Sequence, residues 1–427
     1  MKIRSMRLEH YRCFENFDID FDDRLTVLVG ANGAGKTATL DALGVFMRWA
    51  GHPGLRNATD NKYLFQRDIP AADVALESDA ESIAYRLEVQ FPGDAPELLE
   101  FIFKKDDYGS RLEPQIPPAF KSVKNLLNKE KPVFVAYMAG RFVSENDSVL
   151  EKNDYTPSLY SAFEGNFERT IDYATTLSWF NNLDADEARA MRDSGQKTEI
   201  PELKAVREAL SKALLGQYER PRMQGTPPEL IINEKGTDRA YKVSQLSDGY
   251  RAMLALVMDL ARRMAQAHGA GSPPGESPLN SPAIVLIDEV ELHLHPSWQQ
   301  TVLTTLMEIF PNTQFIVTTH SPQVLTSIPA RYIRILSDGK AYPVNEQTQG
   351  TEASRLLKLI FGVDPRPQNL GIVQALNDYT KLVYEEQWDT PEAEVLREKL
   401  ADHYGSDEPK LMELDLHIEN SKWERGL

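Results

Sequence analysis

The sequence carries a single cysteine, Cys13. That excludes an internal disulfide and a thiolate metal cluster, and it suits a reducing compartment. Long apolar runs are missing as well: no window approaches the roughly 18 to 20 unbroken apolar residues of a membrane helix. The opening MKIRSMRLEH lacks the apolar core of a signal peptide. A cytoplasmic location with no membrane partner is the expectation. Positive charge is in deficit, with 47 Lys and Arg against 64 Asp and Glu for a net charge of -17. The chain as a whole therefore repels nucleic acid, and contact with DNA would need a local basic patch or a partner.

What is present is the composition of a globular chain, 41% hydrophobic and 26% charged, and 427 residues suffice for two to three domain-sized units. The first thirty residues read as three short strands, the last being the buried run LTVLV at 25–29. A glycine turn and a helix from about Lys36 follow. Residues 84–104 read as a hairpin, and PVFVAYMAG (132–140) as a core strand covered on both faces. Residues 155–222, rich in helix formers, read as a helical insertion. The Gly/Pro/Ser segment 266–282 reads as a surface loop. AIVLID (283–288), QFIVTTH (314–320) and YIRIL (332–336) are strand-like, with a helix SWQQTVLTTLMEIF between the first two, an order that implies parallel pairing. Asp338-Gly339 closes a small hairpin, and residues 350–427 are helical and strongly charged.

The strongest chemical signal is GANGAGKT, residues 30–37, set between a strand and a helix. Gly30, Gly33 and Gly35, spaced by Ala31, Asn32 and Ala34, let the backbone curl so that its N–H groups face phosphate oxygens. Lys36 reaches the terminal phosphates of a nucleotide, and the Thr37 hydroxyl is a magnesium ligand. AIVLIDEVELHLHP adds a strand ending in Asp288 and Glu289. The first carboxylate faces the magnesium shell, and the second stands where it accepts a proton from attacking water. His320, at the end of QFIVTTH, reads as a hydrogen-bond donor to the γ-phosphate, against the alternative of a structural strand-end histidine. His293 and His295 invite a metal reading, but a third ligand is not apparent and a hydrogen-bonding role is favoured. In QLSDGYRAM, Ser247 and Gly249 open a helix with Met253, Leu256, Val257, Leu260 and Met264 on its apolar face, so N–H groups and the helix dipole point at an anion in front. The phosphate loop already uses its own helix for that purpose. A second anion-binding helix end is most simply explained by a γ-phosphate held on another subunit.

In this order, GANGAGKT, LSDGY, VLIDE and His320 resemble the ABC-type ATPase heads of the RecF and SMC kind, with LSDGY in place of the more usual LSGGQ. The resemblance implies an α/β P-loop NTPase head, a mixed sheet with parallel core strands, carrying a helical insertion and a helical C-terminal extension. It divides the chain into an ATPase lobe at 1–110, a core strand with the insertion at 111–225, a second lobe at 226–345 and the extension at 346–427. It implies ATP and magnesium as cofactors, and a homodimer or higher even oligomer in which Ser247 and Gly249 of one chain complete the site of another. It carries Arg12 over to the vicinity of the adenine and Gln66, in LFQRDIP, to a magnesium contact. The forms IDEVELHLHP, YMAGRF (137–142) and WFNNLDADEARAMR further resemble standalone ATPases of bacterial anti-phage systems, notably the Septu subunit PtuA and relatives in retron operons. That implies a slow, regulatory ATPase controlling a separately encoded nuclease, of HNH type on the Septu pattern, with DNA reached through the complex. Unlike an SMC protein, the chain has no long coiled coil. Unlike the OLD nucleases, it has no acidic metal constellation in residues 341–427, so cutting by the chain itself is not expected. The competing reading is a RecF-like DNA-repair clamp. A transporter's nucleotide-binding subunit is disfavoured by the large insertion between phosphate loop and signature.

Overall fold

The structure, a computed structural model, describes residues 1–51, 73–74, 82–105, 112–115, 123, 126–127, 132–139, 171, 173–195, 199–214, 216–226, 228–268, 276–405 and 407–425. It divides into two units, Met1–Leu356 and Leu357–Leu427.

In the first unit, β1 (Lys2–Tyr11) and β2 (Phe14–Asp20) form a tight antiparallel pair, followed by β3 (Leu25–Val29), the glycine turn and α1 (Lys36–Gly51). Next come β4 (Ser82–Gln90), β5 (Glu97–Lys105) and β6 (Leu112–Gln115), then β7 (Val133–Tyr137), α2 (Tyr173–Ser194) and α3 (Pro201–Ala213). Three short strands, β8 (Tyr218–Gln224), β9 (Glu229–Glu234) and β10 (Ala240–Lys242), lead into the long helix α4 (Asp248–His268). The chain then runs through β11 (Ala283–Ile287), α5 (Pro296–Gln299), α6 (Val302–Ile309), β12 (Thr313–Thr318), α7 (Pro322–Leu325) and the hairpin β13 (Ile333–Ser337) and β14 (Lys340–Pro343). Helix α8 (Ala353–Phe361) carries the chain across the boundary between the units. The second unit continues with α9 (Gly371–Tyr384), α10 (Pro391–Tyr404) and α11 (Pro409–Glu424), packed on their own core of Leu376, Tyr379, Val383, Leu400, Leu411 and Leu414.

The central sheet has the order β14-β13-β3-β12-β11-β7, parallel throughout except for β14. Every residue of β3, β7, β11 and β12 is buried, so β7 and β11 are unbroken apolar runs, while β3 buries Thr26 and β12 buries Thr313, Gln314 and Thr318. A second sheet, β2-β1-β4-β5-β6, is antiparallel, and β4 alternates buried and half-buried positions as a strand with one covered face does. This is an α/β P-loop head with a mixed sheet, a helical insertion and a C-terminal helical extension. Among the described residues no helix is long and apolar enough to cross a membrane.

Three expectations require correction. The helical insertion does not reach residue 222, because Tyr218–Gln224 is a strand of a separate three-stranded sheet, β10-β9-β8. Pro221 sits where the register shifts between Glu219 and Arg222, beside Arg220 at φ 54°, so a bulge accommodates a residue that a regular ladder excludes. The segment SWQQTVLTTLMEIF is two helices rather than one, interrupted between Gln299 and Val302. The 266–282 segment, read as a loop, is still helical at 266–268 and makes a short 3₁₀ turn at Pro278–Asn280, and its residues 269–275 lie outside the described residues.

The two large sheets are joined by one fully buried amide. Gln314 of β12 accepts from the Ile3 N–H at 2.9 Å and donates to the carbonyls of Ile3 (2.8 Å) and Asp22 (2.9 Å). A buried backbone group left without its partner costs about 1–3 kcal/mol. Gln314→Leu, close in volume but unable to make any of the three bonds, is expected to lower stability by about 2–3 kcal/mol, read as a shift in the midpoint of urea unfolding followed by circular dichroism.

Candidate nucleotide site

The carboxyl ends of three neighbouring strands, β3, β12 and β11, converge at one edge of the central sheet, the place where parallel α/β sheets receive ligands. From β3 comes the loop 30–37. Gly30, Gly33 and Gly35 all hold positive φ, at 153°, 83° and 95°. At Gly35 the requirement is doubled, since a Cβ there would lie 2.2 Å from the Phe14 ring and 3.0 Å from the Cys13 sulfur. The β1–β2 turn is thus packed directly against the loop. Ala31, Asn32 and Gly33 are exposed at the crest, while Ala34 and Gly35 are half-buried. Lys36 is buried, and its ammonium donates to the carbonyls of Gly30 and Ala31, both at 2.9 Å. Burial lowers the Lys36 pKa below the ordinary lysine value, opposed by Asp288, Glu289 and Glu291.

From β11 comes Asp288, buried and held from both sides. Its carboxylate accepts the Thr37 hydroxyl at 3.1 Å and the Thr318 hydroxyl at 2.6 Å. The same Thr318 oxygen accepts the Glu289 N–H at 2.7 Å. Glu289 itself sits at φ 47°, a conformation costly for a residue with a side chain, which persists only where the surroundings enforce it. From β12 comes His320, exposed, with its backbone N–H donating to Glu291 Oε1 at 2.7 Å while the Thr319 hydroxyl donates to Glu291 Oε2 at 2.7 Å. Glu291 therefore clamps the end of β12 to the turn after β11. Thr318 and Glu291 escaped the sequence reading. The signal for Glu291 was an extra carboxylate two residues past Glu289, which nothing local distinguishes from a solvated one.

The structure thus brings Lys36, Thr37, Asp288, Glu289 and His320 to one edge. Ser247 and Gly249 make their contacts elsewhere. Ser247 precedes α4, its carbonyl accepting the Arg251 N–H at 3.1 Å, and Asp248 in the first turn pairs with Arg251. Gly249 lies so close to the turn after β11 that a Cβ would stand 2.8 Å from the His293 carbonyl oxygen. Tyr250 packs edge-on against Trp298 of α5, with centroids 4.6 Å apart, and against Tyr218 of β8 at 6.3 Å. The helix tip is set against the segment that continues from Asp288 and Glu289.

His295 caps α5 through its ring, accepting from the Ser297 N–H, and His293 holds a left-handed turn at φ 65°. Among the described residues no group of three or more potential metal-ligating side chains occurs. The Arg12 guanidinium is committed to Asp41 of α1 and to Asp73, the latter at 2.9 Å. Gln66 lies outside the described residues. As a donor set, one hydroxyl and one carboxylate at the mouth of an N–H-lined loop fit a magnesium ion, which keeps most of its shell for water and phosphate oxygens.

A buried parallel strand, a glycine loop with lysine and threonine, and a strand-end carboxylate locked to that threonine define a P-loop ATPase. The chain belongs to the family "AAA domain, putative AbiEii toxin, Type IV TA system", whose model matches residues 25–326, and it is an ATPase that uses a nucleotide cofactor. It is similar to the "Retron Ec83 probable ATPase" of Escherichia coli, at 27% identity over 492 residues, covering 99% of this chain and 88% of that protein. A shorter stretch of 99 residues is 34% identical to the "Septu protein PtuA" of Bacillus mycoides, covering 23% of this chain and 13% of that protein. Among solved structures, the SMC head domain from Thermotoga maritima aligns with a TM-score of 0.45 at 17% identity, covering 81% of this chain and 100% of that one.

The glycines give a graded test. A side chain at positive φ costs about 1–2 kcal/mol, and Gly33 adds no steric contact, whereas Gly35 adds the collision with Phe14. Binding of a fluorescent ATP analogue is expected to weaken by about tenfold in Gly33→Ala and to be lost in Gly35→Ala, with the melting temperature falling slightly in the first variant and further in the second.

Proposed function

We propose that two copies of the chain close around two ATP molecules, and that the closed state controls a separately encoded effector, a nuclease, in defence against phage. The carrying observation is the split of the chemistry. Lys36, Thr37, Asp288, Glu289 and His320 share one edge, while Ser247 and Gly249 stand at a helix tip set against the turn after β11. In this reading the N–H groups of residues 30–37 and Lys36 bind the phosphates. Thr37 and Asp288 hold magnesium, with Gln66 as a further contact. Magnesium there would neutralise charge on the phosphate oxygens. Glu289 accepts the proton of the attacking water, His320 holds the γ-phosphate, and Ser247 and Gly249 of the facing chain present α4's N–H groups to it. Hydrolysis is slow and serves as a switch.

The nuclease partner, of HNH type on the Septu pattern, is supported by the similarity to the retron and Septu proteins. The net charge of -17 weighs against a RecF-like clamp gripping DNA alone and leaves DNA to be reached through the complex.

Lys36→Ala is expected to abolish ATP binding. Glu289→Gln is expected to retain binding, to lose turnover by about two to four orders of magnitude, and to accumulate as an ATP-bound dimer on size-exclusion chromatography. Captured from its own host with ATP and magnesium, Glu289→Gln should co-purify with a stoichiometric nuclease. Normal turnover in that variant would remove Glu289 as the base, and duplex DNA recovered without a protein partner would establish the clamp.

A further inference from the structure

Helix α4 is buried from Met253 to Gln266, and that buried stretch is not purely apolar. Asp259 is 1% exposed and lies about three turns along the helix from Asp248. Its carboxylate takes four side-chain hydrogen bonds. Arg262 donates at 2.6 Å, Arg263 at 2.7 Å, the Tyr137 hydroxyl at 2.8 Å, and the Thr176 hydroxyl of α2 at 3.4 Å. Arg262 reaches on to Gln266 Oε1 at 3.0 Å. Burial works to raise the Asp259 pKa, and Arg263 and Arg262 overcome it, so the carboxyl is held well below the usual range and stays charged. Burial, with Asp259 adding to it, pushes the Tyr137 hydroxyl well above its ordinary value, so it stays a donor.

Tyr137 is the last residue of β7, the strand beside β11. Its carbonyl accepts the N–H of Asp288 at 2.8 Å. A single residue thus bonds the magnesium-facing carboxylate's own backbone with one group and the middle of the signature helix with the other. The tip of that helix also rests on the turn after Asp288, through Gly249 and Tyr250. The helix is therefore fixed to the β11 edge at two heights.

We infer that Tyr137 and Asp259 are positioning residues that set where α4 stands relative to the sheet edge, and hence where Ser247 and Gly249 are presented to the nucleotide on the facing chain. The inference rests on the shared-site reading given above. Both side chains are buried within the chain and hydrogen-bonded to one another. Their effect belongs to the partner's site.

The test uses heterodimers isolated with two tags, in which one subunit carries Lys36→Ala, so that only the other subunit's phosphate loop works and only the Lys36→Ala subunit's α4 serves it. Tyr137→Phe, which leaves Asp259 its arginines, is placed either in the Lys36→Ala subunit or in the working one. In the first arrangement turnover should fall by about tenfold, the factor set by one ordinary hydrogen bond, with ATP affinity of the working subunit unchanged. In the second arrangement turnover should stay near that of the parent heterodimer. Asp259→Asn should follow the same pattern, and it decides the matter where Tyr137→Phe fails to assemble. Loss in the second arrangement would place the effect at Asp288 on the same chain and overturn the inference. Equal turnover in both arrangements would also overturn it. Ser247→Arg in the same two positions separates the two levels. If Ser247→Arg acts only from the Lys36→Ala subunit while Tyr137→Phe does not, the shared site stands and the positioning link falls. If Ser247→Arg shows no such dependence, the shared site itself falls.

Discussion

The Thr318 hydroxyl is the fastener of the nucleotide site. It donates to Asp288 and accepts from the N–H of Glu289, so one oxygen on β12 orients the carboxylate at the end of β11 and the strained residue after it. With the Thr37 hydroxyl on the other side of Asp288, the ends of two neighbouring parallel strands, β11 and β12, and the first turn of α1 are locked within one hydrogen-bonded group. Unpaired, a buried carboxylate would cost several kcal/mol. Here its partners are side chains that a bound cation would draw upon. The same arrangement keeps the sheet edge closed.

Other contacts extend this constraint outward. Glu291 fastens the backbone at His320 to the turn after β11, and Phe14 fills the space beneath Gly35 so that the β1–β2 turn braces the phosphate loop from behind. Gln314 ties the start of β1 to β12, which fixes the antiparallel sheet that delivers Phe14. Catalytic geometry in such a head is a property of several strands at once. A shift of any one of them is felt at Asp288.

How far this could be read from sequence follows from the range of the interactions. The glycine loop, the apolar runs of β3, β11 and β12 and the parallel pairing are encoded locally, by residue spacing and burial on both faces, and the structure follows them closely. The β8–β10 sheet was hidden because YERPRMQ carries a proline and three charges, and only the bulge at Arg220 and Pro221 makes it a strand. Thr318, Glu291 and Gln314 were invisible as functional or structural keys, since each acts through a partner far away in the chain and looks ordinary among its neighbours. Ser247 and Gly249 were singled out because a helix start with a hydroxyl and a glycine is a local signal. What their helix leans on was not.

The buried charges of α4 pose an energetic question that bears on this last point. An ion cluster in a core stabilises no more than well-packed apolar side chains would, and often less, because desolvation consumes most of the attraction. An apolar helix face is held in place by shape alone, whereas a hydrogen bond to a fixed partner adds a directional constraint along the axis. A carboxylate that must meet Tyr137 of β7 and Thr176 of α2, on two other elements, permits one register only. For most helices an error in register would be absorbed locally. For one whose first turn rests against the residues that follow Asp288 and Glu289, a slip of one turn would carry Ser247 about 5.4 Å along the axis, more than the reach of a hydrogen bond. A core that sacrifices some stability to fix that register is the physically sensible choice for a helix whose tip, in the shared-site proposal, must meet a phosphate held on the facing chain.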